Sequence, residues 1–292
     1  ETREHQYLYE NRPRDVKEPV GAVRFPLWNY LEGEMHAMDM PRQILEGKPY
    51  PLRAIFALGL NGRMFPDSGR MFKALESLDF FVDTDLFLTD TAMWADIVLP
   101  ACSSFERGEF KPYPGGVAWY TSPVIRRIGE AKSDVEICTE LARVMDLPDE
   151  VLKNGYEYFI QHYILDDFGV TVEELKKADL PVKIAEVSTH KDLEMLEKGL
   201  NTPTGKFELK SAVIEQHPEW GLDPLPTYKE PLDDADPEEY PFVFTSGSRI
   251  PGAIHSRLHK VPRNRSLQPD PTADMNQADC DRLGVKEGDE IE

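Results

Sequence analysis

The chain is 292 residues long, 40% hydrophobic and 29% charged, with 24 prolines, which is a globular, loop-rich composition with room for two domains. Its 53 acidic against 33 basic side chains leave a net charge of −20, which excludes general binding to nucleic acid or anionic membranes, since both need a basic face. No apolar run approaches the roughly 18 residues of a membrane-spanning helix, so no direct membrane insertion is expected.

The chain opens on polar ETREHQYLYENRPRDVKEP without a methionine, as though cut from a larger protein. Irregular sequence continues to Met40–Gly47, a short helix with proline near its start and glycine at its end. Ala54–Leu58 reads as a buried strand that breaks into the turn Gly59-Leu60-Asn61-Gly62. Asp67-Ser68 can cap a helix with an apolar face of Met71, Phe72, Leu75 and Leu78. That helix runs straight into Phe80-Phe81-Val82, so 54–82 is one β-α-β unit with a right-handed crossover expected.

The stretch 79–101, DFFVDTDLFLTDTAMWADIVLPA, organises the rest. It holds a second short apolar run, Ile97-Val98-Leu99, and between the two runs Thr89–Ala95 predicts a helix of one or two turns. Short apolar runs beside acidic and turn residues are what buried parallel strands look like. The carboxyl edge of an open parallel sheet is where such sheets bind ligands. Asp83, Asp85 and Asp90 are expected at or just beyond that edge.

After Pro100 the sequence is loop-rich to Gly116, followed by strand-like Ala118–Thr121 and Val124-Ile125. Ser133 and Glu136 form a capping box for the clearest helix, with Cys138, Leu141, Ala142 and Met145 as its apolar stripe. Residues 150–200 carry two or three further helices, one capped by Thr171 with Glu174, and no evident chemistry. Thr202–Gly205 is a turn leading into an alternating strand, Lys206–Leu209. An acidic, proline-rich linker over 222–240 precedes a final domain that opens with a strand, Phe242–Thr245. From Pro241 to Pro269 there is no Asp or Glu, while Arg249, Arg257, Lys260, Arg263, Arg265, His255 and His259 all fall there. In so acidic a chain this window points to an anionic ligand, or to a patch facing an acidic neighbour. Cys102, Cys138 and Cys280 lack C-x-x-C spacing and read as apolar thiols.

TDTAMWADIVLPA, followed by Phe105-Glu106-Arg107-Gly108, resembles the TET-x-x-x-ADVVLPA…E-x-G signature of the molybdopterin oxidoreductases. That group contains dimethyl sulfoxide reductase, formate dehydrogenase and periplasmic nitrate reductase. Further motifs resemble the family in the same order. Gly59–Gly62 falls where the family has G-x-N-P, with Gly62 in place of the proline. The GEAKSD hallmark ends in Asp134, and T-P-x-G-K-x-E-L matches Thr202–Leu209. Ser246-Gly247-Ser248-Arg249 and His255-Ser256 are similar to the family's (T/S)-G-x-R and H-S motifs. Asn276–Gly284 is similar to its N-x-x-D-A-x-x-L-G-I-x-x-G-D helix and turn, with Asp279 and Cys280 differing.

The resemblance implies an α/β fold in four parts. These are an open parallel-sheet domain part over 1–148, a helical connector and strand over 149–221, the linker over 222–240, and a truncated β-barrel of the molybdopterin dinucleotide-binding type over 241–292. It also implies a bis-molybdopterin guanine dinucleotide cofactor carrying molybdenum or tungsten. The implied cofactor-binding residues are Gly59, Asn61, Asp85, Thr89, Arg107, Asp134, Ser246, Gly247, Arg249, His255 and Ser256. Asp85 and Asp134 would accept from guanine N1–H and its exocyclic amine, with Asn61 nearby. Arg107, Arg249 and His255 would meet phosphate or pterin oxygens. In the family the metal ligand and any 4Fe-4S cluster lie in an N-terminal part, so no catalytic or metal-ligating residue is named and the stretch alone is expected to be inactive. The implied activity is two-electron redox or oxygen-atom transfer on a small substrate, with an electron-transfer iron–sulfur subunit as partner. Periplasm and cytoplasm of a bacterium or archaeon both stay open. The alternatives are a non-catalytic relative, such as the large complex I subunit, and a non-redox hydratase.

Three rival motifs fail on single residues. Asp83-Thr84-Asp85 is similar to the phosphatase D-x-D motif, but Phe87 stands where Thr or Val is needed. The same Phe87 takes a ligand position in a calcium loop that also lacks its glycine. His255 and His259 have zinc-helix spacing, but Ser256 stands where the glutamate belongs.

Overall fold

Apolar runs alternate with capped helices through the first half of the chain, and the computed structural model turns that alternation into two small sheets. It describes residues 17–113, 115–185, 197–200, 202, 204–230, 236–245, 252, 258 and 261–291. Helices α1 (Pro26–Glu32) and α2 (Met40–Glu46) both carry proline in the first turn and end on a left-handed glycine, Gly33 and Gly47. Strand β1 (Ala54–Leu58) is followed by α3 (Ser68–Glu76), β2 (Phe80–Asp85), a single 3-10 turn (Ala92–Trp94) and β3 (Ile97–Pro100). Asp67 caps α3 by accepting from the Arg70 N–H at 2.9 Å.

These three strands form a parallel sheet in the order β1-β2-β3, with Ala54 opposite Phe80 and Val82 opposite Ile97. Strand alternation sends Ala57 and Phe81 to one face, where Met40, Ile44, Met71, Ala74 and Leu75 from α2 and α3 cover them. Burying a side chain such as Phe81 or Met71 contributes about 1.5–3 kcal/mol. The alternate residues Phe56, Leu58 and Phe80 are exposed, as is Ile97 on β3.

A second sheet is antiparallel, β4 (Glu109–Tyr113), β5 (Val117–Thr121) and β6 (Val182–Lys183) in that order. Between β5 and β6 run α4 (Asp134–Val144), α5 (Glu150–Asn154), α6 (Tyr156–Ile160) and α7 (Val172–Lys177). Phe110, Ala118 and Tyr120 of this sheet pack on Ile160, Leu165, Val172 and Leu175. Both predicted capping boxes form, Ser133 with Glu136 on α4 and Thr171 with Glu174 on α7. The stripe of α4 is rotated from the predicted one. Ile137, Thr139 and Ala142 are buried, Cys138 is half-buried, and Leu141 and Met145 face solvent.

The chain divides into two units, Glu1–Tyr228 and Lys229–Glu292. Helix α8 (Ala212–Gln216) lies in the first; α9 (Pro262–Arg265) and α10 (Gln277–Leu283) lie in the second. Helix α10 ends at Gly284, left-handed at φ 71°, as the sequence predicts. Three expected strands are not formed: Val124-Ile125, Lys206–Leu209 and Phe242–Thr245. Phe207, Leu209, Val243 and Phe244 are all strongly exposed. Alternation alone makes no strand without a neighbour to take its hydrogen bonds. The described residues of the second unit are helices and loops, so they contain no barrel. Among the described residues no helix is long and apolar enough to cross a membrane.

Candidate functional site

Because β1, β2 and β3 are parallel, their carboxyl ends share one edge, and the sequence places its polar turns there. The turn after β1 begins at Gly59, left-handed at φ 67°, whose N–H donates to the Thr84 carbonyl at 2.8 Å. Asn61 Oδ1 accepts from the Arg63 N–H at 3.1 Å and starts a short 3-10 turn. Gly62 then approaches the Phe72 ring so closely that a Cβ there would lie 3.3 Å from it. Its N–H donates to Thr91 Oγ1 at 2.9 Å, which ties the turn after β1 to the turn after β2. A proline, which the family pattern has at this position, lacks the proton for that bond.

The turn after β2 is built from its own side chains. Asp85, the last residue of β2 and half-buried, accepts from the Phe87 N–H at 3.2 Å. Thr89 accepts from the Ala92 N–H at 3.1 Å and so starts the 3-10 turn. Asp90 lies farther out and is exposed in an ion pair with Arg63. Asp83 is not at the edge: it sits inside β2, fully buried, opposite Ala57 and Val98. The three acids predicted as one group are thus split into a buried, an edge and an exposed carboxyl.

Backbone bonds continue the edge to the remaining candidates. The Ala101 N–H donates to Asp85, and the Cys102 N–H to Lys132, two residues before Asp134. Asp134 opens α4, where a carboxylate is favoured by the helix dipole, and its side chain is 42% exposed. Arg107 Nη1 lies 3.6 Å from Asp134, and Nη2 lies 3.0 Å from Glu109, so two predicted site residues neutralise each other. The structure therefore brings Gly59, Asn61, Asp85 and Thr89 to one pair of joined turns and pairs Arg107 with Asp134. Ser246, Gly247, Arg249, His255 and Ser256 lie outside the described residues.

The E-x-G motif has a structural explanation. Glu106 is almost fully buried and accepts from Ser103 Oγ, the Ser103 N–H and the Ile128 N–H, each at 2.7 Å. Those donors, the Ser103 hydroxyl foremost, hold its carboxyl below the usual glutamate range. Gly108 lies against Tyr120: a Cβ there would stand 2.8 Å from the ring and its hydroxyl. Both residues shape the loop that presents Arg107. Burial pushes the Cys102 and Cys138 thiols up, which disfavours their thiolate forms. Sequence reasoning missed the Thr91 clamp, the Glu106 staple and the burial of Asp83. The clamp, and the Ile128 bond of the staple, are long-range and spacing cannot show them, whereas the two bonds from Ser103 to Glu106 span three residues. Asp83 was legible, because period-two alternation puts it on the face of Phe81.

Comparison with known proteins bears directly on this edge. Residues 37–144, which span β1 to α4, match the model for the molybdopterin oxidoreductase domain. The chain belongs to the molybdopterin oxidoreductase family. It is 34% identical to acetylene hydratase of Syntrophotalea acetylenica, covering 84% of this chain and 33% of that protein. It is 28% identical to the thiosulfate reductase molybdopterin-containing subunit of Salmonella typhimurium, covering 97% of this chain and 39% of that protein. The solved structure of acetylene hydratase from Pelobacter acetylenicus superposes with a TM-score of 0.69 at 28% identity, over 87% of this chain and 35% of that one. The chain thus spans about a third of the length of these relatives.

The donor set can be tested against a pterin dinucleotide. A half-exposed Asp85 and Asp134 offer carboxylate oxygens for an amidine edge, Gly59 leaves open space where a side chain would stand, and Arg107 offers a guanidinium to phosphate. The residues fit the group. Among the described residues no group of three His, Cys, Asp or Glu side chains is placed to hold a metal ion by itself.

Proposed function

We propose that this chain supplies nucleotide-holding elements of a molybdenum or tungsten oxidoreductase that uses bis-molybdopterin guanine dinucleotide. The observation that supports this reading best is the locked pair of turns at the carboxyl edge of the parallel sheet, Gly62 N–H to Thr91 Oγ1, with Asp85 beside it. A fixed loop costs less ordering on binding than a free one. Asp85 would accept from the guanine edge, Thr89 and Asn61 would hold the turns on either side, and Asp134 would offer a second acceptor. Arg107 would turn from Asp134 toward a phosphate, exchanging one ionic partner for another. When bound, such a cofactor supplies the metal centre for two-electron redox or oxygen-atom transfer. The metal's protein ligand, a 4Fe-4S cluster and an electron-transfer partner belong, in this reading, to polypeptide other than these residues.

The likeness to acetylene hydratase favours a second reading, in which the same cofactor serves the addition of water to a small unsaturated substrate. Both readings are tested on the protein purified as its cells make it. About two guanine nucleotides released on denaturation, with about one molybdenum or tungsten, are expected per chain. A folded sample from cells that make the cofactor, yielding neither, would sink both. Turnover with a redox dye and oxidised or reduced small substrates, against hydration of alkynes without any dye, separates the two.

A further inference from the structure

The joined turns at the sheet edge hold one basic side chain that the cofactor reading leaves unused. In 59–64 and 86–94, Arg63 is the only basic residue and Asp90 the only acidic one. The Arg63 side chain is 65% exposed, yet it is restrained at three points. Its backbone N–H donates to Asn61 Oδ1 at 3.1 Å, and its Nε donates to Asp90 Oδ2 at 2.5 Å. Its guanidinium lies over the Phe72 ring, 5.6 Å from the centroid. That ring is itself fixed, against Trp94 at 5.9 Å and beneath Gly62. An exposed ion pair contributes little to stability, because ordering two long side chains offsets its attraction. What these contacts do is set where the guanidinium stands.

An arginine receives an anion through the N–H groups that its own structure leaves free. In Arg63, Nε alone is engaged; among the described residues neither terminal amino group has a hydrogen-bond or ion-pair partner. Arg107 is the reverse case. Its Nε donates to Glu109 at 3.0 Å, its Nη2 lies 3.0 Å from the same carboxylate, and its Nη1 lies 3.6 Å from Asp134. To meet a phosphate, Arg107 must give up an ion pair, whereas Arg63 can keep its own. Arg63 also belongs to the turn that Gly59 opens, and no atom stands within 4 Å of where a Gly59 side chain would be.

We propose that Arg63 is the diphosphate-binding arginine of this edge, taking phosphate oxygens on its two terminal amino groups while Asp90 and Phe72 hold it still. The planar fork of a guanidinium matches two oxygens of one phosphate, a fit that a lysine ammonium lacks. Restrained before binding, the side chain loses little freedom on binding. Asp85 would then take the base and Arg63 the phosphates, with the nucleotide lying along the joined turns. Arg107 need not leave Glu109 and Asp134. The nucleotide part of this inference rests on the cofactor reading above; the anion site at Arg63 does not.

The test uses the full-length protein made in cells that lack the cofactor, with Arg63→Gln, Arg63→Lys and Arg107→Gln beside the wild type. Calorimetry with GDP, guanosine and inorganic pyrophosphate separates binding of the base from binding of the phosphates. Arg63→Gln is expected to lose about tenfold of affinity for GDP and for pyrophosphate, with guanosine unchanged. Arg63→Lys should recover only part of that loss, and Arg107→Gln should lose less than Arg63→Gln. GDP and pyrophosphate affinities unchanged in Arg63→Gln overturn the proposal. So does a loss of guanosine affinity as large as the loss for GDP, which marks a turn that has changed shape. A larger loss in Arg107→Gln than in Arg63→Gln, or a wild type that binds neither GDP nor pyrophosphate, overturns it too. Pyrophosphate bound through Arg63, with no guanosine binding and no gain from the base in GDP, defeats the cofactor reading and leaves the anion site standing. Should Arg63→Gln not fold, Arg63→Lys carries the same comparison, and unchanged GDP affinity there overturns the proposal.

Discussion

The two sheets of the first unit treat their buried polar groups differently. In the antiparallel sheet, Tyr120 is buried but its hydroxyl meets Glu157 at 3.0 Å, and Tyr156 accepts from the Phe110 N–H at 3.2 Å. Burial first, and then Glu157, push the Tyr120 hydroxyl well above the usual tyrosine range, so it stays a donor. In the parallel sheet Asp83 and Thr84 are buried with no partner. A sheet that only packs can satisfy each polar group as it is buried. One that keeps such orphans in its central strand has given up stability there.

Substitutions can sharpen this contrast, starting with the antiparallel sheet, where only packing is at stake. Leu175→Ala empties the middle of its core and should cost about 2–5 kcal/mol in denaturant unfolding, at every pH. A pH-dependent loss there would erase the distinction between the sheets. Gly108→Ala drives a methyl into Tyr120, whose hydroxyl is already engaged, and should cost about 1–3 kcal/mol by the same measurement.

The parallel sheet should instead answer to pH. Asp83 has a folded value above its unfolded one, so its stabilising effect is greatest below the ordinary aspartate value and is lost as pH rises toward the folded value. Asp83→Asn should therefore raise the unfolding midpoint at neutral and alkaline pH and change it little in acid. Glu106, in the loop between the sheets, has the opposite sign. Its folded value is depressed, so its contribution is present above the ordinary glutamate value and fades as pH falls through the depressed one. Glu106→Gln should flatten the acid limb of a plot of unfolding midpoint against pH. The smallest effect belongs to Phe87→Ser: that side chain is 75% exposed, and the change should stay within about 0.5 kcal/mol in the same unfolding assay.

Where a pattern was local, it could be read directly. Caps such as Ser133 with Glu136, the glycine stops at Gly47 and Gly284, and the apolar strands Ala54–Leu58 and Phe80–Val82 need only near neighbours in sequence. The strands proposed at Lys206–Leu209 and Phe242–Thr245 failed because alternation names a face but supplies no partner. The stripe of α4 turned because its packing partners were unknown, so Ile137 rather than Leu141 went inside. At the site, the turn residues Gly59, Asn61, Asp85 and Thr89 were legible as strand ends. The pairing of Arg107 with Asp134 was not, since it depends on how the loop after β3 lies against the start of α4.

The bond from Gly62 to Thr91 makes two loops, 29 positions apart in sequence, into one thermodynamic unit. Neither can shift alone without leaving a buried donor or acceptor unmatched. Changes in one loop should therefore be transmitted to the other as an energetic coupling. In a double-mutant cycle, Thr91→Val and a substitution at Asn61 would depart from additivity, and a guest held by the second loop would sense an amino acid it never touches.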